Sequence, residues 1–421
     1  MSLTSSMAIG TSGLDSATQD LDIIGNNVAN ADTIGFKESR ADFAEAFADS
    51  LIGGTGQVGT GTEVAAVQNI LTQGTIVNTG VPTDLALQGG GYFVVNGSYA
   101  GVNGQYYTRD GSFSIDQNGN LVNSSGLDVQ GFMANAGGGL STNMGNLQVG
   151  KATFPPQATA NVSLQANLQA DAAVGPAFDP TNPAGTSNFS TSLTIYDSLG
   201  VAHSTTVYFT KTAAGQWSWN ATTDGGGLSG GTAGTQTVIA SGTLSFDSNG
   251  NLTGSTQSSS FTPAGATSPQ ALNFNFGSAT SPGVTQFAGQ SEASFVSQDG
   301  YASGSLSSIA VDSSGNVTGT FSNGQSRRIA QVAVASFAAP TQLAVAGGNL
   351  FADTPSAGQP SIGAAGTGSR GSIQSAALEE SNVDIATEFV NMISAQRDFE
   401  ANSKTITTAD QLLSDLISIK H

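Results

Sequence analysis

Few residues in this chain could do chemistry, and their spacing decides what they are. Gly54-Thr-Gly56-Gln-Val-Gly59 and Gly366-Thr-Gly368-Ser-Arg-Gly371 both fit the glycine pattern of a dinucleotide loop. That loop works only where a strand precedes it and a helix opens after it, so that backbone N–H groups face a pyrophosphate. Neither stretch has that setting. Gly227-Leu-Ser229-Gly-Gly231 has nucleophile-elbow spacing, but an elbow serine needs a histidine base, and the only later histidine is the terminal His421. His203 is the other one, too few for a zinc centre or a His-based triad. Asp247-Ser-Asn249-Gly-Asn251 opens like a calcium loop. Leu252 then stands where the sharp-turn glycine belongs, and Ser258 where the bidentate glutamate belongs. Asp116 and Asp312 fail likewise. Glu379 and Glu380 read as solvated acids at a helix start, where they suit the dipole. With no cysteine, thiol nucleophiles, thiolate ligands and disulfides are excluded. The sequence therefore predicts no catalytic residue, metal ligand or cofactor, and no enzyme.

The elements around these residues carry more information. At 421 residues the chain is too long for one ordinary compact domain. Charged residues are 10%, against roughly 25% in ordinary soluble proteins, so Ser, Thr, Asn, Gln and Gly must cover the surface. The net charge of −19 leaves no basic footprint for nucleic acid and opposes binding to anionic membranes. No apolar run approaches the ~20 residues of a membrane span. Residues 1–10 have neither a basic nor an apolar signal region. This composition predicts a β-rich extracellular protein exported without a cleaved signal peptide.

The two ends differ from the middle. Met7, Leu14, Leu21 and Val28 recur at seven residues, with Ala17, Ile24 and Ala31 between them, and residues 1–50 read as helix. At the other end Leu378, Ile385, Met392, Phe399, Ile406 and Leu413 keep the same repeat. Phe389 and Ile417 take companion positions, where Gln396, Ser403 and Asp410 interrupt the row. Ser381-Asn-Val-Asp384 resembles a capping-box start, and a helix from Asp384 to Ile419 would be about 54 Å long. Two such helices suit either an intramolecular coiled coil or an assembly domain that orders when subunits meet.

Between the ends the period changes to two. Tyr92-Phe-Val-Val95, Ser112-Phe-Ser-Ile115, Leu193-Thr-Ile-Tyr196 and Val207-Tyr-Phe209 read as strands. Trp217 and Trp219 fall on one strand face. Asp116-Gln-Asn-Gly119, Asp247-Ser-Asn-Gly250 and Asp312-Ser-Ser-Gly315 read as hairpin tips. The fold class is α+β, with terminal helices forming a coiled-coil inner domain and nested all-β outer domains. Residues 1–32 plus 375–421 are expected to be helical. Residues 33–61 plus 363–374 connect, through linker glycines Gly53, Gly54, Gly56, Gly59, Gly61, Gly363, Gly366, Gly368 and Gly371. Residues 62–150 plus 287–362 form a β-rich middle domain, and 151–286 an inserted, β-barrel-like outer domain.

The termini resemble the bacterial flagellar rod and hook axial protein family. The resemblance lies in the stretch from Gly13 to Lys37, with Asn26, Asn27, Asn30, Gly35 and Phe36 as motif residues. It lies equally in the stretch from Ser381 to Lys404, with Gln396, Arg397 and Asn402. Gly89-Gly-Gly-Tyr-Phe-Val-Val95, Tyr107-Thr-Arg-Asp-Gly-Ser-Phe113, Tyr196-Asp-Ser-Leu-Gly200, Gly300-Tyr-Ala-Ser-Gly-Ser-Leu306 and Gly347-Gly-Asn-Leu-Phe351 look like the hook branch. The resemblance implies a helical homopolymer, a hollow tube acting as universal joint between rod and filament. It implies type III export, and as partners the distal rod protein, the hook cap protein and the hook-filament junction protein. Met7, Leu14, Leu21, Ile24, Val28, Leu378, Ile385, Phe389, Met392, Phe399, Ile406, Leu413 and Ile417 would then form the subunit interface. Two other classes stay open: a distal rod subunit, which the 151–286 insertion opposes, and a secreted β-rich adhesin, which leaves the terminal signatures unexplained.

Overall fold

The computed structural model describes residues 3–46, 59–135, 137–278 and 283–419. It is mostly β-sheet with two long helices, and it divides into two units. The first comprises Met1–Ala152, Ser308–Thr320 and Ser326–His421; the second comprises Thr153–Ser307 and Phe321–Gln325. Strand Glu292–Gln298 belongs with the second because it pairs along Asn161–Asn167, from Val162↔Gln298 to Asn167↔Glu292. The expected boundary at 286 is therefore too early: a composition shift marks turns, whereas strand pairing decides membership.

In the first unit, helix α1 spans Leu3–Ala29 and helix α2 spans Ile385–Ile419. The cap of α2 is Asp384 itself, whose Oδ1 accepts the Thr387 N–H at 2.9 Å. That bond holds the Asp384 carboxyl below its ordinary range. Helix α1 ends far short of residue 50. Asn30 donates its side chain back to the Asn26 carbonyl at 2.9 Å, and Gly35 takes a left-handed φ of 68°. Ser39–Ala46 then forms a strand paired with Gly61–Asn69, from Ser39↔Asn69 to Ala46↔Gly61. The alanine- and acid-rich run at 41–46 favours helix locally, and this hairpin pairing overrides it. At the far end of the hairpin its second strand meets the helix through two hydrogen bonds, Ser16 Oγ to the Thr62 carbonyl at 3.2 Å and the Thr62 N–H to Ser12 Oγ at 3.3 Å.

The β body of this unit is built around strand Ser326–Ser336, fully buried from Ile329 onward. It pairs with Asp128–Met133, with Tyr92–Tyr99 and with Ser361–Ala364. Tyr92, Val94, Tyr107, Leu343 and Phe351 pack beside it, and Phe337 sets its ring edgewise 4.8 Å from that of Tyr107. Two short pairings follow, Ser372–Ser375 with Leu85–Gln88 and Ala377–Glu379 with Ile76–Asn78. Leu378 is therefore a strand residue, and the helical repeat begins only at Ile385.

The second unit packs a six-stranded antiparallel sheet against a three-stranded one. Phe189–Tyr196, Ala202–Ala213, Gln216–Asp224, Gln236–Phe246 and Leu252–Ser255 are consecutive neighbours in the larger sheet. Trp217 and Trp219 both point into the shared core, where Trp219 lies 5.0 Å from Phe274 and 4.9 Å from Phe276. The hairpin tips follow one local rule. Asp116, Asp247 and Asp312 each use Oδ1 to accept the N–H groups two and four residues on, at 2.7–2.9 Å. Gly119, Gly250 and Gly315 then supply φ near +80°. The three carboxylates that opened like calcium loops are committed to these turns.

Candidate assembly interface

Helices α1 and α2 run antiparallel. Asn27, near the end of α1, donates Nδ2 to Glu388 Oε2 at 3.3 Å near the start of α2, while Gly13 and Gly10 face Asn402 and Ile406 further along. A Cβ on Gly13 would lie 2.7 Å from the Asn402 side chain, and one on Gly10 2.9 Å from Ile406 Cγ1. The two glycines let the helix backbones approach closely. Among the described residues of α2 the sheltered ones are Glu388, Met392, Ala395, Asn402, Ser403, Ile406, Ala409 and Leu413, and all but Ser403 fall on two rows. Apart from a gap at Phe399, which is 41% exposed, their steps of three and four trace one stripe, with Met392, Ile406 and Leu413 on the expected row. The companion row is Glu388, Ala395, Asn402 and Ala409, one residue before the expected one. Phe389 and Ile417 are consequently exposed, by 50% and 57%. On α1, Ile24 is buried, and Met7, Leu14, Leu21 and Val28 are half-buried.

The motif residues hold the base of this pair. Asn27 is buried and clamps residue 39 from both sides: its Nδ2 donates to the Ser39 carbonyl at 2.7 Å, and its Oδ1 accepts the Ser39 N–H at 2.9 Å. Thr33 Oγ1 donates to Asn30 Oδ1 at 3.1 Å. Gly35 lies against the Arg109 and Asp110 backbone, where a Cβ would come within 2.6 Å of the Asp110 nitrogen. Asn26, Asn30, Gly35 and Phe36 line a cavity of about 250 Å³, and Asn349 closes over it by donating to the Ile34 carbonyl at 2.8 Å. Asn402 donates to the Asp398 carbonyl at 3.0 Å, and Gln396 and Arg397 lie exposed.

Sequence reasoning missed the residue at the centre. Glu379, expected as a solvated acid, is completely buried. Its Oε1 accepts Lys37 Nζ at 2.6 Å and the Gly74 N–H at 3.0 Å, and its Oε2 accepts Arg109 Nη1 at 3.1 Å. Lys37 and Arg109 are themselves buried. Burial pushes the Lys37 ammonium below its ordinary value, against the hydrogen bond and attraction of Glu379. Lys37 and Arg109 both stand inside the terminal and central signatures, so the signal was their charge in a chain with only 11 bases.

A second, acidic cleft of about 190 Å³ lies among Asp20 and Ile24 of α1, Glu38, and Glu388 and Asp398 of α2. Burial, then the charges of Glu388 and Asp398, raise the Asp20 carboxyl; burial and Glu388 raise that of Glu38. The cleft stores repulsion at neutral pH.

Six of the nine expected linker glycines lie within the described residues, and they are part of the fold. Gly363 lies in strand Ser361–Ala364, Gly366 and Gly368 form the following turn, and Gly371 presses on the Gln88 carbonyl, 2.4 Å from where a Cβ would sit. Gly61 starts the second hairpin strand against Ser12. Gly59 faces Glu45, while Gly53, Gly54 and Gly56 lie outside the described residues. Among the described residues no helix is long and apolar enough to cross a membrane.

Part of what α2 leaves uncovered is apolar. Ile385, Phe389, Val390 and Ile393 are all more than 40% exposed over the first turns, with Phe399, Leu412 and Ile417 further on.

Four family models match in chain order: Flagella basal body rod protein over residues 7–37, Flagellar hook protein FlgE/F/G D1 domain over 86–167, Flagellar basal body protein FlaE D2 domain over 163–301, and Flagellar basal body rod FlgEFG protein C-terminal over 374–419. The chain is 36% identical to the Flagellar hook protein FlgE of Salmonella typhimurium (strain LT2) over 425 residues, covering 99% of this chain and 100% of that protein. It is 34% identical to its namesake in Escherichia coli (strain K12) over 417 residues, covering 97% and 98%. The crystal structure of Helicobacter pylori flagellar hook protein FlgE2 aligns with a TM-score of 0.45 at 15% identity, covering 71% of this chain and 99% of that one. Full-length identity at this level, with the family models matching in order, places the chain in the flagellar hook protein family.

Proposed function

We propose that this chain is the structural subunit of the bacterial flagellar hook, and that it polymerises through the uncovered face of α2. The observation that carries the assembly reading is that face: Ile385, Phe389, Val390 and Ile393 lie exposed on a helix whose opposite side already packs on α1. A second copy would bury them, at about 25 cal/mol for each Å² removed from water. In the tube the helix pairs form the inner layer and the β units the outer one. Lys211 is the only Lys or Arg in 153–307, and it is buried, its Nζ donating to the Ala170 and Ala172 carbonyls. The second unit thus offers its neighbours no lysine or arginine for an ion pair. Contacts between Ser, Thr and Gly surfaces then slide at little cost as a curved tube rotates, while the inner layer carries torque. Export is by the type III route, and the tube joins the distal rod protein below and the junction protein above, growing under the cap protein. The rod and adhesin readings are not favoured, since full-length relatives are hook proteins. Electron microscopy of flagella from a strain lacking this chain tests the reading: rods without hooks support it, and absent rods or intact hooks contradict it.

A further inference from the structure

Two buried cations share one carboxylate at the base of the helix pair. Glu379 balances one of them, and Asp110, which hydrogen-bonds the N–H and hydroxyl of Ser112, does not line the pocket beside them. Lys37 uses two of its three donors, on Glu379 and the Thr72 carbonyl, and Arg109 two of its five, on Glu379 and the Gly89 carbonyl. Both line a pocket of about 270 Å³ together with Leu71, Gly90, Tyr92 and Pro340. Tyr92 is buried, lies 5.4 Å from the Arg109 guanidinium, and its hydroxyl has no hydrogen-bond partner among the described residues. The pocket therefore has an excess positive charge, spare donors on three side chains and an apolar wall.

We propose that this pocket binds a single carboxylate on a short apolar stem. The carboxylate takes the free Lys37, Arg109 and Tyr92 donors, and the stem lies against Leu71 and Pro340. Bound there, it completes a two-cation, two-anion group and returns the Lys37 ammonium toward its ordinary value. The carboxylate is either free in the medium or the Asp or Glu side chain of a neighbouring copy, since acids outnumber bases 30 to 11 in this chain.

The test is carboxylate titration of the full-length monomer, followed by side-chain NMR. The chain has six arginines, so their Nε–Hε signals can be followed separately. Propionate should move the Arg109 signal saturably, with a Kd of about 1–10 mM, the range for one charge-assisted contact and a small stem. 1-Propanol and sodium chloride at equal concentration should not. Leu71→Glu, or Pro340→Glu if that variant does not fold, places a carboxylate in the pocket and should weaken propionate binding at least tenfold. In assembled polymer, loss of the response identifies a neighbour's side chain as the occupant, and an unchanged response identifies a free carboxylate. A monomer showing no saturable Arg109 shift, or a folded variant responding like the native chain, overturns the proposal.

Discussion

Lys37 and Glu379 are 342 positions apart in the chain and 2.6 Å apart in space, one following α1 and the other preceding α2. With Arg109 they tie both chain segments that enter the helix pair to the β body of the first unit.

Glu379→Gln should therefore be severe. It leaves two buried cations without their anion, which costs about 3–5 kcal/mol. Urea unfolding should show that loss in the first unit, while near-ultraviolet dichroism of Trp217 and Trp219 stays native. A loss below about 1 kcal/mol would mean that the triad is solvated.

The acidic cleft gives a pH dependence of known sign. Asp20 is raised above 3.8, so its contribution to stability is full below that value and is lost as pH rises through the folded value. Asp20→Asn should raise the urea midpoint at pH 7, and the gain should vanish near pH 3. A gain equal at both pH values would show an effect unrelated to charge.

Ile406→Asp should separate α2 from α1. Ile406 packs at Gly10, and an unpaired charge there costs several kcal/mol. Hooks should be absent while the second unit keeps its fold. Leu21→Asp should act alike. Asp22→Ala, at an exposed position, is the control and should assemble normally. Normal hooks from Ile406→Asp would show that the helix pair is dispensable.

The second unit can be tested by excision. Replacing Thr153–Ser307 with a Gly-Ser linker should leave a tube of altered shape, because the helix pair is untouched. Removing 151–286 instead strips Glu292–Gln298 of its partner strand and should cause aggregation. Electron microscopy distinguishes the two; normally curved hooks from the first would refute a shape-setting role.

Local patterns were the most legible in the sequence. The Asp-x-x-Gly tips could be read because donor, acceptor and glycine lie within five residues. The row of Met392, Ile406 and Leu413 could be read from its period of seven. Its companion row could not, because Glu388, Ala395, Asn402 and Ala409 carry no hydropathy signal, and apolar Phe389 and Ile417 imitate the row one residue later. Glu379 was misread because its partners come from Lys37 and Arg109, which no local window contains. The strand at 39–46 was hidden by helix-favouring residues whose pairing partner lies past a long interval.

In the proposed assembly the uncovered face of α2 joins one subunit to the next. The most direct measurement is electron microscopy of hooks from cells carrying Phe389→Asp with Ile393→Asp, beside circular dichroism of the purified subunit. Both side chains are about half exposed, so the monomer should stay folded and be exported. The expected result is rods that bear no hooks, with soluble subunits in the medium. Hooks of normal length and number, built from folded double-variant subunits, would contradict it.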